Sequence, residues 1–203
     1  MKKGKGKKRE NKIIVVAPSY MSKDPYQIDP IADWTWRKYE SSHVVSIEEF
    51  ITTYKKRHFF VGTDSQNYPK SKKCVFTSVL IAYDYDEEAQ QGHGATVIRY
   101  VDKRPLIPVS ALSSRLTVEA QRSIEICKLL EDKLLELSVE DGVSSDKMYT
   151  RNIKGVTIDV NDDIKYKSGR YKDMLVGLIL GHGYNAMCKP DAWASSSVAD
   201  RKC

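Results

Sequence analysis

Between Ser113 and Leu137 the chain sets Leu116, Ala120, Ser123, Cys127, Leu130, Leu134 and Leu137 on one stripe of a helical wheel, with Glu125, Asp132 and Glu136 pointing away. A stripe that long requires a helix with one buried face, and such a face must be covered by another layer of structure. The flanking segments supply a sheet. His58 to Thr63 is compact, mostly apolar and ends at Asp64, as a buried central strand does. Val75 to Tyr85 and Ala95 to Val101 are two further strand-like runs, joined by the acidic, glycine-containing loop Asp86 to Gly94. Past the helix and a polar insertion, Glu140 to Asn152, the run Gly155 to Val160 reads as a fourth strand ending in a second acid, Asp159.

Shorter signals complete the order. Ser46, Ile47, Glu48 and Glu49 form a capping box that opens a helix through about Lys56. An apolar helix runs from about Tyr171 to His182 and is closed by Gly183; Tyr184 to Lys189 is a fifth strand candidate, and Pro190 starts a last helix towards Asp200. Right-handed crossovers then make the fourth strand parallel to the first and its neighbour. The expected fold is α/β, a mixed five-stranded sheet with helices on both faces, which is the topology of the ribonuclease H-like fold.

Charge divides the chain. Residues 1–12 hold seven Lys and Arg against one Glu and the rest holds 26 of each sign, so the tail carries the whole net charge of +6. Such a disordered basic tail either attracts polyanions, more weakly as salt rises, or only solubilises the chain. Residues 13–45 mix Pro18, Pro25 and Pro30 with Trp34, Trp36 and several Tyr and have no steady period, so they form an irregular arm; the compact domain spans 46–203. The arm's aromatics stack on unpaired bases or, the favoured reading, anchor the arm on its own domain or on a protein partner. The longest apolar stretch, Met174 to Gly181, is far below the ~20 residues that cross a bilayer. The scattered Cys74, Cys127, Cys188 and Cys203 suit a reducing, cytoplasmic setting, and neither they nor the four histidines have zinc-ligand spacing. Any metal must be held by oxygen.

Four acids can provide that oxygen. Asp64 and Asp159 end neighbouring parallel strands and so emerge at one carboxyl edge of the sheet, where open α/β sheets place their sites. Glu119 lies about 60° from Leu116 on the wheel, at the edge of the buried stripe. Asp200 reaches the same edge if the last helix folds back, with Asp191 as its substitute; Asp162 and Asp163 look like turn residues. Taken singly, each acid is as readily a turn former or a cap. Together their carboxylates would repel by about 1 to 4 kcal/mol per pair, and they stay ionised only around cations. All-oxygen ligands select Mg²⁺ or Mn²⁺, and two such ions a few ångströms apart serve phosphodiester hydrolysis. Beside them, Ser65, Gln66 and Lys189 either contact a phosphate or are solvated polar groups.

The run Phe60, Val61, Gly62, Thr63, Asp64, Ser65, Gln66 resembles the opening motif of the YkuK-like proteins, a branch of the ribonuclease H-like superfamily. So do Gly183 and Tyr184 leading to Lys189, Pro190, Asp191 and Ala192, then Ala194 to Asp200, while Ile158, Asp159, Val160 and the helix bearing Val176, Gly177 and Leu178 fit between them. The likeness covers about residues 46 to 203. It implies a nuclease acting on RNA or DNA, with Asp64, Glu119, Asp159 and Asp200 as catalytic and metal-binding acids around two Mg²⁺ or Mn²⁺ ions. Asp64 would bridge both ions, Asp159 and Glu119 would hold one, and Asp200 the other. The sequence departs from the family in its tail, its arm and the insertion before Gly155. It also lacks the second acid two residues after Asp64 that proofreading-type exonucleases use, which disfavours that reading.

Overall fold

The computed structural model describes residues 18–41, 43–161, 163 and 165–202; the basic tail expected at residues 1–12 lies outside them, as do Asp162 and Cys203. In chain order the elements are β1 (Arg37–Lys38), α1 (Ile47–Tyr54), β2 (His58–Tyr68), β3 (Lys73–Asp86), β4 (Gln91–Pro105), α2 (Leu112–Glu140), β5 (Ile153–Thr157), α3 (Lys172–Gly181) and β6 (Ala186–Met187). Their sheet order is β1-β4-β3-β2-β5-β6. β2, β3 and β4 form the antiparallel meander, and β5 lies parallel beside β2 as the crossover argument requires. The sheet has six strands rather than five because Arg37 and Lys38 of the arm add to the edge of β4, a pairing too short to leave a period in the sequence.

Two strands outrun their apolar stretches. β3 and β4 continue as a ribbon to Asp86 and Gln91, so the loop expected over Asp86 to Gly94 shrinks to a turn at residues 87–90. Backbone pairing extends the strands there, and their side chains are largely exposed, which is why hydrophobic pattern missed them. In the same way β2 runs to Tyr68, paired throughout with β3. The last helix is also different from expectation: Ala194–Ala199 makes a wide π-type turn and Asp200–Lys202 a tight 3-10 turn.

α2 covers one face of the sheet, and all seven residues of its predicted stripe are buried. Six of them, all but Ser123, join Phe59, Val61, Leu80, Ala82 and Ile98 in the main core. Ser46 caps α1, its hydroxyl accepting the Glu49 amide at 3.3 Å. On the opposite face, Ala194 and Ala199 of the final turn pack on Val79 and Ile81. Gly62 permits that approach: a Cβ there would lie 2.5 Å from Thr157 Oγ1 and 2.8 Å from the Ser195 amide nitrogen. The glycine of the opening motif is thus a contact surface for the chain's last segment.

The arm is anchored on its own domain. Trp34 and Trp36 are buried in the main core, Trp34 stacks on Tyr100 with ring centroids 4.3 Å apart, and its indole nitrogen donates to the Asp29 carbonyl at 2.9 Å. Buried Asp102 accepts from Arg104 and from Arg122 at 2.6 Å each, and Arg104 reaches on to Asp29 at 2.7 Å. Arm, β4 and α2 therefore share one charge cluster, closed over by the faces of Trp34 and Phe76 against the Arg122 guanidinium. These tryptophans are not available to stack on bases. Among the described residues no helix is long and apolar enough to cross a membrane.

Candidate active site

The ladder between β2 and β5 ends at the pair Gly62 and Thr157. β2 continues to Tyr68 while β5 stops, so the two parallel strands part and a crevice opens at their carboxyl ends, the place where α/β sheets hold ligands. Asp64 lies two residues past Gly62, and Asp159 two past Thr157. Both were expected to end their strands. Asp64 instead sits inside β2, because pairing with β3 alone carries the strand on, and Asp159 stands just beyond the shorter β5. Strand alternation turns Asp64 with Gly62 towards the final segment, and Thr63 and Ser65 towards α2.

α2 delivers the third acid. Glu119 is only 5% exposed, and its Oε1 accepts the Ser65 hydroxyl at 2.5 Å. Its carboxyl is pushed up to about 8, first by burial and next by the negative charge of Asp64; Arg115 and the Ser65 hydrogen bond pull it down, and Asp159 adds to the rise. Acids from β2 and from just beyond β5 therefore act electrostatically on Glu119 of α2.

Two cations answer them. Arg115, one helical turn before Glu119, donates to the Ser65 carbonyl oxygen at 2.5 Å and to its hydroxyl at 3.0 Å. Ser65 is thereby held between a guanidinium and a carboxyl group. Lys189 Nζ lies 2.5 Å from Asp159 Oδ1, an ion pair that lacks the alignment of a hydrogen bond. Beneath them a buried hydroxyl chain joins Ser123, Thr63 and Ser78, each link 3.0 Å long. Gln66, by contrast, is exposed and accepts the Tyr68 hydroxyl at 3.0 Å.

Asp200 is solvent-exposed, at the head of a turn that packs near β2. Asp191 is exposed too, with its amide bonded to the Cys188 carbonyl. Among the described residues no three His, Cys, Asp or Glu side chains are gathered closely enough to hold an ion. The donor chemistry nevertheless fits Mg²⁺ or Mn²⁺: carboxylate oxygens only, one of them buried and raised by two neighbouring acids, which is the condition a bound cation relieves. The sequence reading missed Arg115. Its signal was there, an Arg and a Glu four apart at the edge of a buried stripe.

The sequence model of the ribonuclease H-like family matches residues 43–203, and the chain belongs to that family. No curated protein and no solved structure matches it.

Proposed function

We propose that this protein is a nuclease that hydrolyses phosphodiester bonds with Mg²⁺ or Mn²⁺, within the YkuK-like branch of its family. The observation that carries the reading is Glu119, a carboxyl raised first by its burial and then by the negative charges of Asp64 and Asp159, acids that come from three separate elements near the end of the β2–β5 ladder. In this reading Asp64, Glu119 and Asp159 would hold the ions, with Asp200 from the final turn as a fourth acid. When bound, two such ions offset the charge that builds on a phosphodiester under attack and help a water to ionise. Ser65 and Arg115 would fix the Glu119 carboxyl, and the buried Thr63 and Ser123 hydroxyls would hold β2 against α2. The partner would be RNA or DNA. The setting would be the cytoplasm, in keeping with Cys74, Cys127 and Cys188 as free thiols. A protein partner on residues 13–45 would meet the arm's exposed Met21 and Tyr26.

One observation favours a second reading. Lys189 already neutralises Asp159, and the acids are not drawn together as ligands, as befits a module that binds nucleic acid without cutting it. Labelled single strands, duplexes and RNA:DNA hybrids incubated with Mn²⁺ or with chelator separate the two. Metal-dependent cutting that falls by orders of magnitude in a folded Asp64→Asn variant supports the nuclease; undiminished cutting by that variant refutes the assignment of Asp64, and binding without cutting leaves the module.

A further inference from the structure

The crevice does not end at the acids. Ser65 and Arg115 also line a cleft of about 550 Å³ that is completed by Gln66, Lys167, Arg170 and Tyr171 together with the 108–112 loop. The charged lining is of one sign: Arg115, Lys167 and Arg170, with no Asp or Glu among the described lining residues. Arg115 is tied to Ser65, whereas Lys167 and Arg170 are exposed and free to reach a ligand's charge. Tyr171 is half-buried: it packs against the main core and also lines the cleft. The volume falls within the ~300 to 1,000 Å³ of pockets that take one small ligand, room for a nucleotide.

Cations that follow a backbone beside an aromatic face that accepts a base are the means by which unpaired strands are held. We infer that this cleft binds one nucleotide of a single strand, its phosphate on Lys167 and Arg170 and its base against Tyr171, so that the neighbouring phosphodiester lies over the acids. The identity of the ligand rests on the phosphodiester-hydrolase reading, and the consequence is a preference for unpaired over duplex substrate.

The test is binding without turnover. Full-length protein in chelator is titrated into fluorescein-labelled single strands of DNA and of RNA, about 12 nucleotides long, and into the matching duplexes, with anisotropy as the readout. Single strands should bind more tightly than duplexes. The double variant Lys167→Glu and Arg170→Glu should lose roughly tenfold or more in single-strand affinity, and its log affinity should fall less steeply with log salt by about 0.7 for each phosphate contact removed. Tyr171→Leu should lose roughly 5- to 150-fold on single strands, as ~1 to 3 kcal/mol of stacking implies, with duplex binding little changed. Lys128→Glu, exposed on α2, should bind as the unaltered chain does, and thermal melting establishes that each variant is folded. Equal affinity for duplex and single strand, or charge-reversed protein that binds single strands undiminished, overturns the inference. A chain that binds as described but never cuts with Mn²⁺ keeps the cleft and loses the hydrolase; one that cuts while the cleft variants bind normally does the reverse.

Discussion

Asp64 and Asp159 each lie two residues beyond Gly62 and Thr157, the last pair of the ladder between two parallel strands. Both bear on Glu119 from there, and the electrostatics of that acid give a direct measure of whether the three form one site. Glu119 ordinarily titrates near 4.5 and is held near 8 in the fold. Between those values the unfolded chain has released the proton that the native state keeps, so stability is greatest below the lower value and is lost as pH rises through the upper one. Urea unfolding in chelator should show the native protein weaker at about pH 8 than at about pH 5, with this acid contributing on the order of a few kcal/mol. Glu119→Gln should flatten that dependence. A slope unchanged by the substitution would place the titrating group elsewhere.

Lys189 competes with any cation for Asp159, at 2.5 Å from its Oδ1. Replacing the ammonium by the apolar side chain of Lys189→Met should raise Mn²⁺ affinity several-fold, because a pair of charges at this separation interacts by about 1 kcal/mol or more. Electron paramagnetic resonance of free Mn²⁺ during titration measures it without substrate. Identical affinities in the two proteins would mean that the lysine does not occupy the cation's place.

The sequence made the meander, the crossover and the parallel neighbour of β2 legible, because burial of a central strand and of one helix face leaves periods that need no partner to be seen. It also placed Asp64, Glu119 and Asp159 near a common edge, through strand ends and wheel position. What escaped was set by backbone pairing and by distant contacts. Arg37 and Lys38 are in a strand only because β4 offers an edge, and Asp64 is inside β2 because β3 accompanies it past the apolar run. Arg115 went unread because its role rests on a distant contact, its guanidinium on the Ser65 carbonyl. Asp200, expected on a regular last helix, stands exposed at the head of a 3-10 turn that follows a π-type turn, an irregular backbone that leaves no period in the sequence.

The charge cluster under the arm is a point of failure for the whole domain. Asp102, 4% exposed, is shared by Arg104 and Arg122, which are 1% and 0% exposed. Asp102→Ala leaves the buried Arg122 guanidinium without its carboxylate and Arg104 with Asp29 alone, and removal of one partner from a buried pair destabilises by about 3 to 5 kcal/mol. The melting temperature should fall by many degrees, and the near-ultraviolet signal of Trp34 and Trp36 should be lost at lower temperature. A loss below about 1 kcal/mol would show that the arm is held by its aromatic contacts alone.

Gly62 tests whether the opening motif and the chain's last segment form one structural unit. A methyl group at this position meets Thr157 Oγ1 at 2.5 Å and the Ser195 amide nitrogen at 2.8 Å, and both obstacles are held: the Thr157 hydroxyl donates to the Val61 carbonyl at 3.1 Å and accepts the Ser195 amide at 3.0 Å. Gly62→Ala should therefore destabilise by about 1 to 3 kcal/mol, the range of overpacked sites. The added Thr157→Ala change removes the nearer obstacle, so the double variant should be more stable than the sum of the two single losses predicts, a coupling that denaturant unfolding of all four proteins resolves. Strict additivity would mean that the final segment shifts away freely, and Asp200, which it carries, would then have no fixed relation to Asp64.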